Sequence, residues 1–186
     1  MANKVWIYID QFKGEAHPGS WEGLGAGRDL ADQLESGVTA LVFGPQADGV
    51  AGDAFQYGAD EVLFADDATF EEYRPEPFTS LISKLAQESA PEVILFPTTT
   101  RGRELAAMSA IDLDTGILPD VVALEVADGR VVATRPVYAG KLLSKVVCTK
   151  QPQIVTTRTR AFTSPEPDTS RSGVPTKVEA VVPEEN

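Results

Sequence analysis

Short apolar runs alternate with stretches of helical hydrophobic spacing through the first 113 residues of the chain, and few folds satisfy such an alternation. The apolar runs are residues 4–10, 38–44, 61–66 and 93–96, and the helical stretches are residues 20–35, 50–57, 78–85 and 103–113. Successive strand–helix–strand units place their strands in parallel, because each helix returns the chain to the same end of the sheet. The sequence therefore predicts an α/β fold with a doubly wound, mostly parallel sheet.

The pattern changes after Gly116, where short β-rich runs follow one another. Asp128 and Gly129 separate two of these runs and form the two-residue signal of a β-hairpin. Two later runs, residues 142–149 and 153–159, are expected to add antiparallel strands at the edge of the sheet.

The chain from Ser164 onward is rich in proline, serine and charge and poor in large apolar residues. Such a composition predicts an extended segment, because it buries little apolar surface. We therefore expect one domain over residues 1–163 and a linker or tail over residues 164–186. The apolar residues 178–182 within this tail are either a lone strand that pairs with another chain or the beginning of a further element.

Composition excludes several classes of function. The chain has 186 residues and a net charge of −12, which argues against binding to nucleic acid or to an anionic membrane surface. No run approaches the roughly 18 apolar residues of a membrane span, and the chain does not begin like a signal peptide. We expect no membrane span and a cytoplasmic location. The single Cys148 and the single His17 leave no residue set for a transition-metal site or a Ser–His–Asp triad.

Several conspicuous residues have structural explanations. Cys148 lies within a β-rich run and is expected to be a small buried side chain, and His17 is expected in a surface loop. Ser20 is a suitable N-cap for the first helix. The glycines of that helix are expected to allow close packing and not to form a dinucleotide loop; they are Gly23, Gly25 and Gly27.

Residues 92–105 are the main candidate for a functional site. Their apolar run ends at Pro97, and a polar turn follows before the next helix. Ligands of parallel sheets bind at the carboxyl ends of the strands, and the free N–H groups of a helix N-terminus attract anions. The turn is therefore a candidate phosphate cradle, formed by Thr98, Thr99, Thr100, Arg101, Gly102 and Arg103.

A purely structural role explains the same turn equally well. Thr100 is a suitable helix cap, Gly102 allows close packing, and Glu104 complements the positive end of the helix dipole. The residues themselves leave both roles open.

Three motifs follow one another in the second half of the chain. The first joins GREL to a TG-L-D pattern and comprises residues 102–105, Thr115, Gly116, Leu118 and Asp120. The second has Arg135-Pro136 before GKLL at residues 140–143, and the third is the PQI segment of residues 152–162. In this order the motifs resemble the N-terminal domain of the electron transfer flavoprotein alpha subunit, and the resemblance covers nearly all of residues 3–163.

Two departures from the family pattern are visible. Ala139 stands where a second glycine is common in the family, and residues 159–161 replace its usual Pro-Gly. Neither departure changes the order of the motifs.

The resemblance implies an adenine-nucleotide-hydrolase-like, Rossmann-like three-layer sandwich. It also implies that the chain is the docking domain of an electron carrier, which passes electrons between dehydrogenases and an acceptor through a flavin and is not itself a catalyst. The family holds FAD chiefly in a C-terminal domain, whose glycine-rich signature does not occur in these 186 residues. We therefore expect an isolated N-terminal domain followed by a linker toward an absent FAD-binding domain.

The resemblance further implies the partners of the chain. These are a beta subunit, which contributes to the FAD site and holds AMP or a second flavin of its own, and the C-terminal FAD domain. Glu104, Gly140 and Lys141 are expected at interfaces, and the phosphate cradle is expected to be empty. The alternative is a stand-alone AMP- or ATP-binding module of the same fold, which would use the cradle.

Overall fold

The computed structural model of the chain describes residues 3–181. The strands of that part are β1 (Val5–Ile9), β2 (Gln11–Phe12), β3 (Glu15–Ala16), β4 (Val38–Phe43), β5 (Glu61–Ala65), β6 (Val93–Pro97), β7 (Ile117–Val121), β8 (Ala123–Ala127), β9 (Arg130–Val137), β10 (Leu142–Val146), β11 (Gln153–Thr157) and β12 (Thr176–Lys177). The helices are α1 (Pro18–Gln33), α2 (Ala47–Gln56), α3 (Pro75–Ser89) and α4 (Thr100–Asp112), and a 3₁₀ turn covers Ala68–Phe70.

Seven of these strands form one parallel sheet in the order β12–β5–β4–β1–β6–β11–β7. Alternate side chains of β1 point to opposite faces of this sheet. Ile7 belongs to a buried cluster with Leu24 of α1, whereas Tyr8 belongs to another with Leu81 of α3. Helices α1 and α2 therefore cover one face, and α3 and α4 cover the other. This arrangement confirms the predicted doubly wound α/β fold with three Rossmann-like layers.

Strand β11 lies in the interior of the sheet, parallel to its neighbours β6 and β7. The prediction that residues 153–159 add an antiparallel strand at the edge is therefore wrong. All of β11 is buried, as is usual for a parallel strand that is covered by helices on both faces.

A separate antiparallel sheet, in the order β10–β9–β8, packs beside β7. Asp128 and Gly129 form the turn between β8 and β9 with φ angles of 51° and 71°, which confirms the predicted hairpin. The run of residues 142–149 enters this sheet as β10, which is antiparallel to β9 and has no other strand beside it among the described residues.

Helix α1 begins earlier than predicted. His17, which is exposed as expected, is its N-cap, and Nδ1 of His17 accepts a hydrogen bond from the N–H of Gly19 at 3.1 Å. The predicted cap, Ser20, instead accepts a hydrogen bond from the N–H of Asp10 at 3.0 Å, which ties the helix to the end of β1. Close packing by the helix glycines is confirmed, since a Cβ on Gly27 would lie 2.2 Å from a side chain of β1.

Residues 164–181, named here the C-terminal strap, pass over α1 and α2 and reach β5. Strand β12 belongs to the strap and extends the parallel sheet by two residue pairs. Directly after β12, the N–H of Val178 donates to the carbonyl of Phe64 at 2.8 Å. Of the apolar residues 178–182, which were predicted to pair with another chain or to begin a further element, the last lies outside the described residues. The strand in this part of the strap is β12, just before them, and it pairs within the same chain.

Candidate functional site

A cleft of about 440 Å³ lies at the carboxyl ends of β1 and β6, between the N-termini of α1 and α4. Asp10 and His17 line the side of the cleft that follows β1. Of the predicted phosphate cradle, Thr99, Thr100 and Arg101 line the other side, whereas Thr98, Gly102 and Arg103 do not line the cleft. The structure therefore brings half of the predicted residues together at one opening.

The turn after β6 uses most of its backbone N–H groups internally. Thr99 is the N-cap of α4, since its Oγ1 accepts a hydrogen bond from the N–H of Gly102 at 2.9 Å. The predicted cap, Thr100, is wrong by one residue. The N–H of Thr98 donates to a carbonyl of β11 at 2.9 Å, and the N–H of Arg103 donates to the carbonyl of Thr99 at 3.1 Å.

Two donors of the turn are left for other groups. Within residues 3–181 the N–H groups of Thr100 and Arg101 have no hydrogen-bond acceptor, as is normal for the first residues of a helix. Gly102 has a steric role, because a Cβ at this position would lie 2.0 Å from the carbonyl oxygen of Pro97. The turn is thus a tight junction between strand and helix that presents two free N–H groups.

The guanidinium of Arg101 is surrounded by groups of its own chain. Its Nη1 donates to the carbonyl of Gln11 at 3.3 Å and lies 3.9 Å from Oδ1 of Asp10. Its central carbon lies 5.3 Å from the ring centroid of Phe12 and 4.9 Å from that of Tyr73. Both rings are within the range of a cation–π interaction. The charge that would attract a phosphate is therefore already compensated.

Asp10 places a negative charge in the same cleft. The residue is 8% exposed, and its carboxylate is the nearest anion to Arg101 among the described side chains. The pKa of the neighbouring Tyr8 is raised well above its ordinary value, first by burial and then by the charge of Asp10. Because the carboxylate of Asp10 lies 3.9 Å from Nη1 of Arg101, the two charges offset each other and the pair offers a phosphate no uncompensated positive charge.

Glu104 joins α4 to the segment before α3. Its carboxylate accepts a hydrogen bond from the hydroxyl of Tyr73 at 2.7 Å. Partial burial and this hydrogen bond both raise the pKa of Tyr73 above its ordinary value. The side chain of Glu104 is therefore engaged within the domain, although the residue is exposed.

The second predicted site lies at the turn between β9 and β10. Gly140 and Lys141 are exposed there, and three successive residues ending at Gly140 have positive φ angles. Three apolar side chains around the turn are also exposed: Tyr138 by 77%, Leu142 by 58% and Leu143 by 69%. We name Tyr138, Lys141, Leu142 and Leu143 the hairpin surface. Its apolar members were missed in the sequence, where an apolar pair in a β-rich run predicts burial.

The sequence model of the family "Electron transfer flavoprotein domain" matches residues 5–183 of the chain. The chain belongs to this family. Protein FixB of Azorhizobium caulinodans is 40% identical over 167 residues, which are 87% of this chain and 45% of that protein. The electron transfer flavoprotein subunit alpha of Thermoanaerobacterium thermosaccharolyticum is 34% identical over 182 residues, which are 97% of this chain and 55% of that protein.

A further electron transfer flavoprotein subunit alpha, from Bacillus subtilis, is 31% identical over 173 residues, and the match covers 53% of that protein. The chain thus spans about half the length of the curated relatives it matches. This is consistent with the N-terminal domain of an electron transfer flavoprotein alpha subunit, which the three ordered motifs indicated.

In this electron transfer flavoprotein domain the first and third motifs meet between β7 and β11. The hydroxyl of Thr115 donates to the carbonyl of Pro152 at 2.9 Å. Asp120 receives two hydrogen bonds from the guanidinium of Arg158, and its N–H donates to the hydroxyl of Thr156 at 2.8 Å. These two motifs therefore stabilise the pairing of two neighbouring strands, and the second motif contributes Lys141, Leu142 and Leu143 to the hairpin surface.

Cys148 differs from its predicted place within a strand, because β10 ends at Val146. The thiol is half-buried and lies 3.6 Å from the hydroxyl of Thr115. Burial raises the pKa of Cys148, but its hydrogen bond with Thr115 and those from the N–H groups of Lys150 and Gly116 outweigh burial and hold the pKa below its ordinary value.

The described part of the domain contains neither a metal-binding cluster nor a membrane-spanning helix. No group of three or more His, Cys, Asp or Glu side chains there is placed to hold a metal ion. Among the same residues, no helix is both long and apolar enough to cross a membrane.

Proposed function

We propose that this chain is the docking domain of an alpha-type electron transfer flavoprotein subunit and performs no bond chemistry of its own. The observation that carries the proposal is the hairpin surface, where large apolar side chains are exposed at β10, whose outer edge has no strand beside it among the described residues. Family membership and the relatives named electron transfer flavoprotein subunit alpha support the same role.

The hairpin surface suits a protein partner in two ways. The outer edge of β10 presents backbone N–H and C=O groups that a strand of another chain can pair with. Tyr138, Leu142 and Leu143 supply an apolar centre of the kind that dominates interface energies. Lys141 stands between them at the turn.

Charge defines the partner more closely. Residues 129–150 contain five of the chain's 16 Lys and Arg and none of its 28 Asp and Glu. Within this segment Lys145 pairs with Glu125 and Lys150 with Asp114, whereas Lys141 is without a side-chain partner among the described residues. We infer that the partner is a beta-type subunit with an apolar centre and an acidic rim.

The cofactor of the assembled carrier follows from the same proposal. FAD would be held mainly by a C-terminal domain and the beta-type subunit, with AMP in the beta-type subunit. Electrons would pass through that flavin between dehydrogenases and an acceptor, and this domain would support the assembly.

The turn from Thr98 to Arg103 serves the fold in this proposal. Arg101 is enclosed by two rings and by the carboxylate of Asp10, which offsets its charge. The nucleotide-binding alternative would rest on the free N–H groups of Thr100 and Arg101 alone. Calorimetry of the chain with AMP, ATP and FAD separates the two functions: the proposal expects no tight binding, and stoichiometric binding of any of the three would overturn it.

The docking role is tested by binding to a beta-type electron transfer flavoprotein subunit from the same organism. Leu143→Asp places a charge in the centre of the hairpin surface and is expected to weaken binding about 30-fold or more. Ile111→Asp is the matched control, because Ile111 is 78% exposed on α4, outside this surface. Equal affinities for the two variants would exclude the hairpin surface as the docking site.

A further inference from the structure

We propose that the C-terminal strap is a latched segment that detaches from the domain as a unit while the sheet and its helices stay folded. The latch is the contact of Arg171 with Asp60 and with the loop between α2 and β5. Detachment would leave β5 as the edge of the parallel sheet.

The strap is weakly anchored by apolar contacts. None of residues 164–181 is buried and both residues of β12 are exposed; the strap's apolar contacts with the core are those of the partly buried Val178 and Ala180. Strand β12 pairs with β5 over two residue pairs only. The free energy of local opening depends on buried apolar contacts and protected backbone hydrogen bonds, and a segment with few of either opens well below the cost of global unfolding.

The anchoring polar contacts are concentrated at Arg171. Its guanidinium donates to the carbonyls of Phe55 and Ala59 at 3.0 and 3.1 Å, and to Oδ1 of Asp60 at 3.1 Å. Satisfying two carbonyls and a carboxylate with one side chain makes this contact the main polar attachment of the strap.

Asp60 connects the latch to the body of the domain. Its Oδ2 accepts hydrogen bonds from Arg28 of α1 at 2.6 Å and from the N–H of Val38, at the start of β4, at 2.9 Å. Arg28 also pairs with Asp32 on the same helix. The carboxylate that holds the strap is thus fixed by contacts that persist when the strap leaves.

Steric fit provides a second, uncharged anchor. Gly173 lies so close to Phe55 that a Cβ at this position would be 2.4 Å from the ring. A larger residue at position 173 would push the strap away from α2 without changing any charge.

The position of the strap sets the point at which any following part of the chain leaves the domain. While latched, its end is fixed beside β5; once detached, its 18 residues no longer hold a following segment at that edge of the sheet. This consequence alone rests on the proposed function, in which a flavin-binding half of the subunit follows the strap.

Hydrogen exchange of the 186-residue chain tests the latch directly. Arg171→Ala and Gly173→Val are each expected to lower the protection of the strap amides, including those of Asp168 and Val178, by about tenfold. The protection of β1 and β6 should not change. The matched controls are Arg130→Ala, at an exposed arginine outside the strap, and Gly52→Ala, where a Cβ would meet no atom within 4 Å.

Two results would overturn the proposal. One is unchanged strap protection in both variants, and the other is loss of strap protection only together with that of β1 and β6. If Arg171→Ala proves unstable, Gly173→Val still decides the question, since it replaces no charged residue. The measurement needs no flavin and no partner, so its failure is distinguishable from failure of the docking function.

Discussion

Gly102 marks the closest approach of α4 to the end of β6. A Cβ there would lie 2.0 Å from a backbone carbonyl oxygen, which cannot move without displacing the strand. We expect Gly102→Ala to lower the free energy of unfolding by about 1–3 kcal/mol. Gly52→Ala on α2, where there is open space, should leave it unchanged or raise it by about 1 kcal/mol through helix propensity. Urea unfolding measures both, and equal midpoints would contradict the steric role.

Asp60 makes the stability of the domain depend on pH. Partial burial raises its pKa, but the N–H of Val38 and the guanidinium groups of Arg28 and Arg171 outweigh burial and lower the pKa below its ordinary value. Because the folded pKa is the lower one, ionised Asp60 stabilises the fold above the unfolded pKa of roughly 3.9. This contribution is lost as the pH falls through the folded pKa.

The corresponding measurement compares the wild type with Asp60→Asn from neutral pH down to about pH 3. The wild type should be the more stable at neutral pH, and the difference should shrink in acid. Asp53→Asn, at an exposed position of α2, is the control, and its difference in stability from the wild type should not shrink in acid. A stability difference that is constant over the whole range would show that the charge of Asp60 does not contribute.

Among the elements, the antiparallel sheet depends on the turn at Asp128 and Gly129. Both residues have positive φ angles, and an alanine at Gly129 would have to adopt 71°. We expect Gly129→Ala to cost about 1 kcal/mol, with the loss of amide protection confined to β8 and β9. Replacing Asp128 by Asn, which tolerates positive φ, should preserve protection. Loss of protection in β1 or β6 would instead show that this hairpin and the parallel sheet unfold together.

The elements that sequence patterns predicted are those whose patterns are local. Continuous apolar runs identified β1, β4, β5 and β6, and the Asp-Gly pair identified the β8–β9 turn. The place of β11 could not be derived in this way, because a run such as residues 153–157 suits an edge or an interior equally until its contacts with β6 are known. The strap was predicted only as a linker or tail, since its attachment depends on contacts with distant residues: the hydrogen bonds of Arg171, the fit of Gly173 against Phe55 and the short pairing of β12 with β5.

In the candidate site, too, local features could be predicted from the sequence and long-range contacts could not. The strand–turn–helix junction that contains Thr98 to Arg103 is visible in the sequence, because apolar and polar stretches meet there. What surrounds Arg101 is not visible, since Asp10, Phe12 and Tyr73 come from distant parts of the chain. The exposure of Leu142 and Leu143 was hidden for a related reason: their hydrophobicity predicts burial, and only the edge position of β10 leaves them uncovered.

Charged residues are unevenly distributed over the molecule as a whole. Its acidic excess gives a net charge of −12, yet residues 129–150 around the hairpin surface carry basic residues and no acidic ones. At the opposite edge of the parallel sheet, residues 60–76 include seven Asp and Glu and one Arg. Such a distribution orients an approaching charged partner before contact and acts mainly on the association rate.

This asymmetry predicts how docking of the beta-type subunit responds to charge and salt. Lys141→Glu should lower the association rate constant about three- to tenfold at low salt, because it reverses a charge at the turn of the hairpin surface. Lys84→Glu makes the same change in net charge on α3, where the lysine is half exposed and pairs with Glu88, and should have much less effect. Stopped-flow association measures both variants.

The difference between the two variants should vanish near 1 M salt, where the screening length falls to about 3 Å. If both variants slow association equally, net charge steers the encounter and the position of the basic segment does not matter. If the difference persists at high salt, Lys141 acts through a direct contact in the complex. A lower association rate constant of Lys141→Glu at low salt, with no difference near 1 M salt, is the outcome expected for electrostatic steering at the hairpin surface.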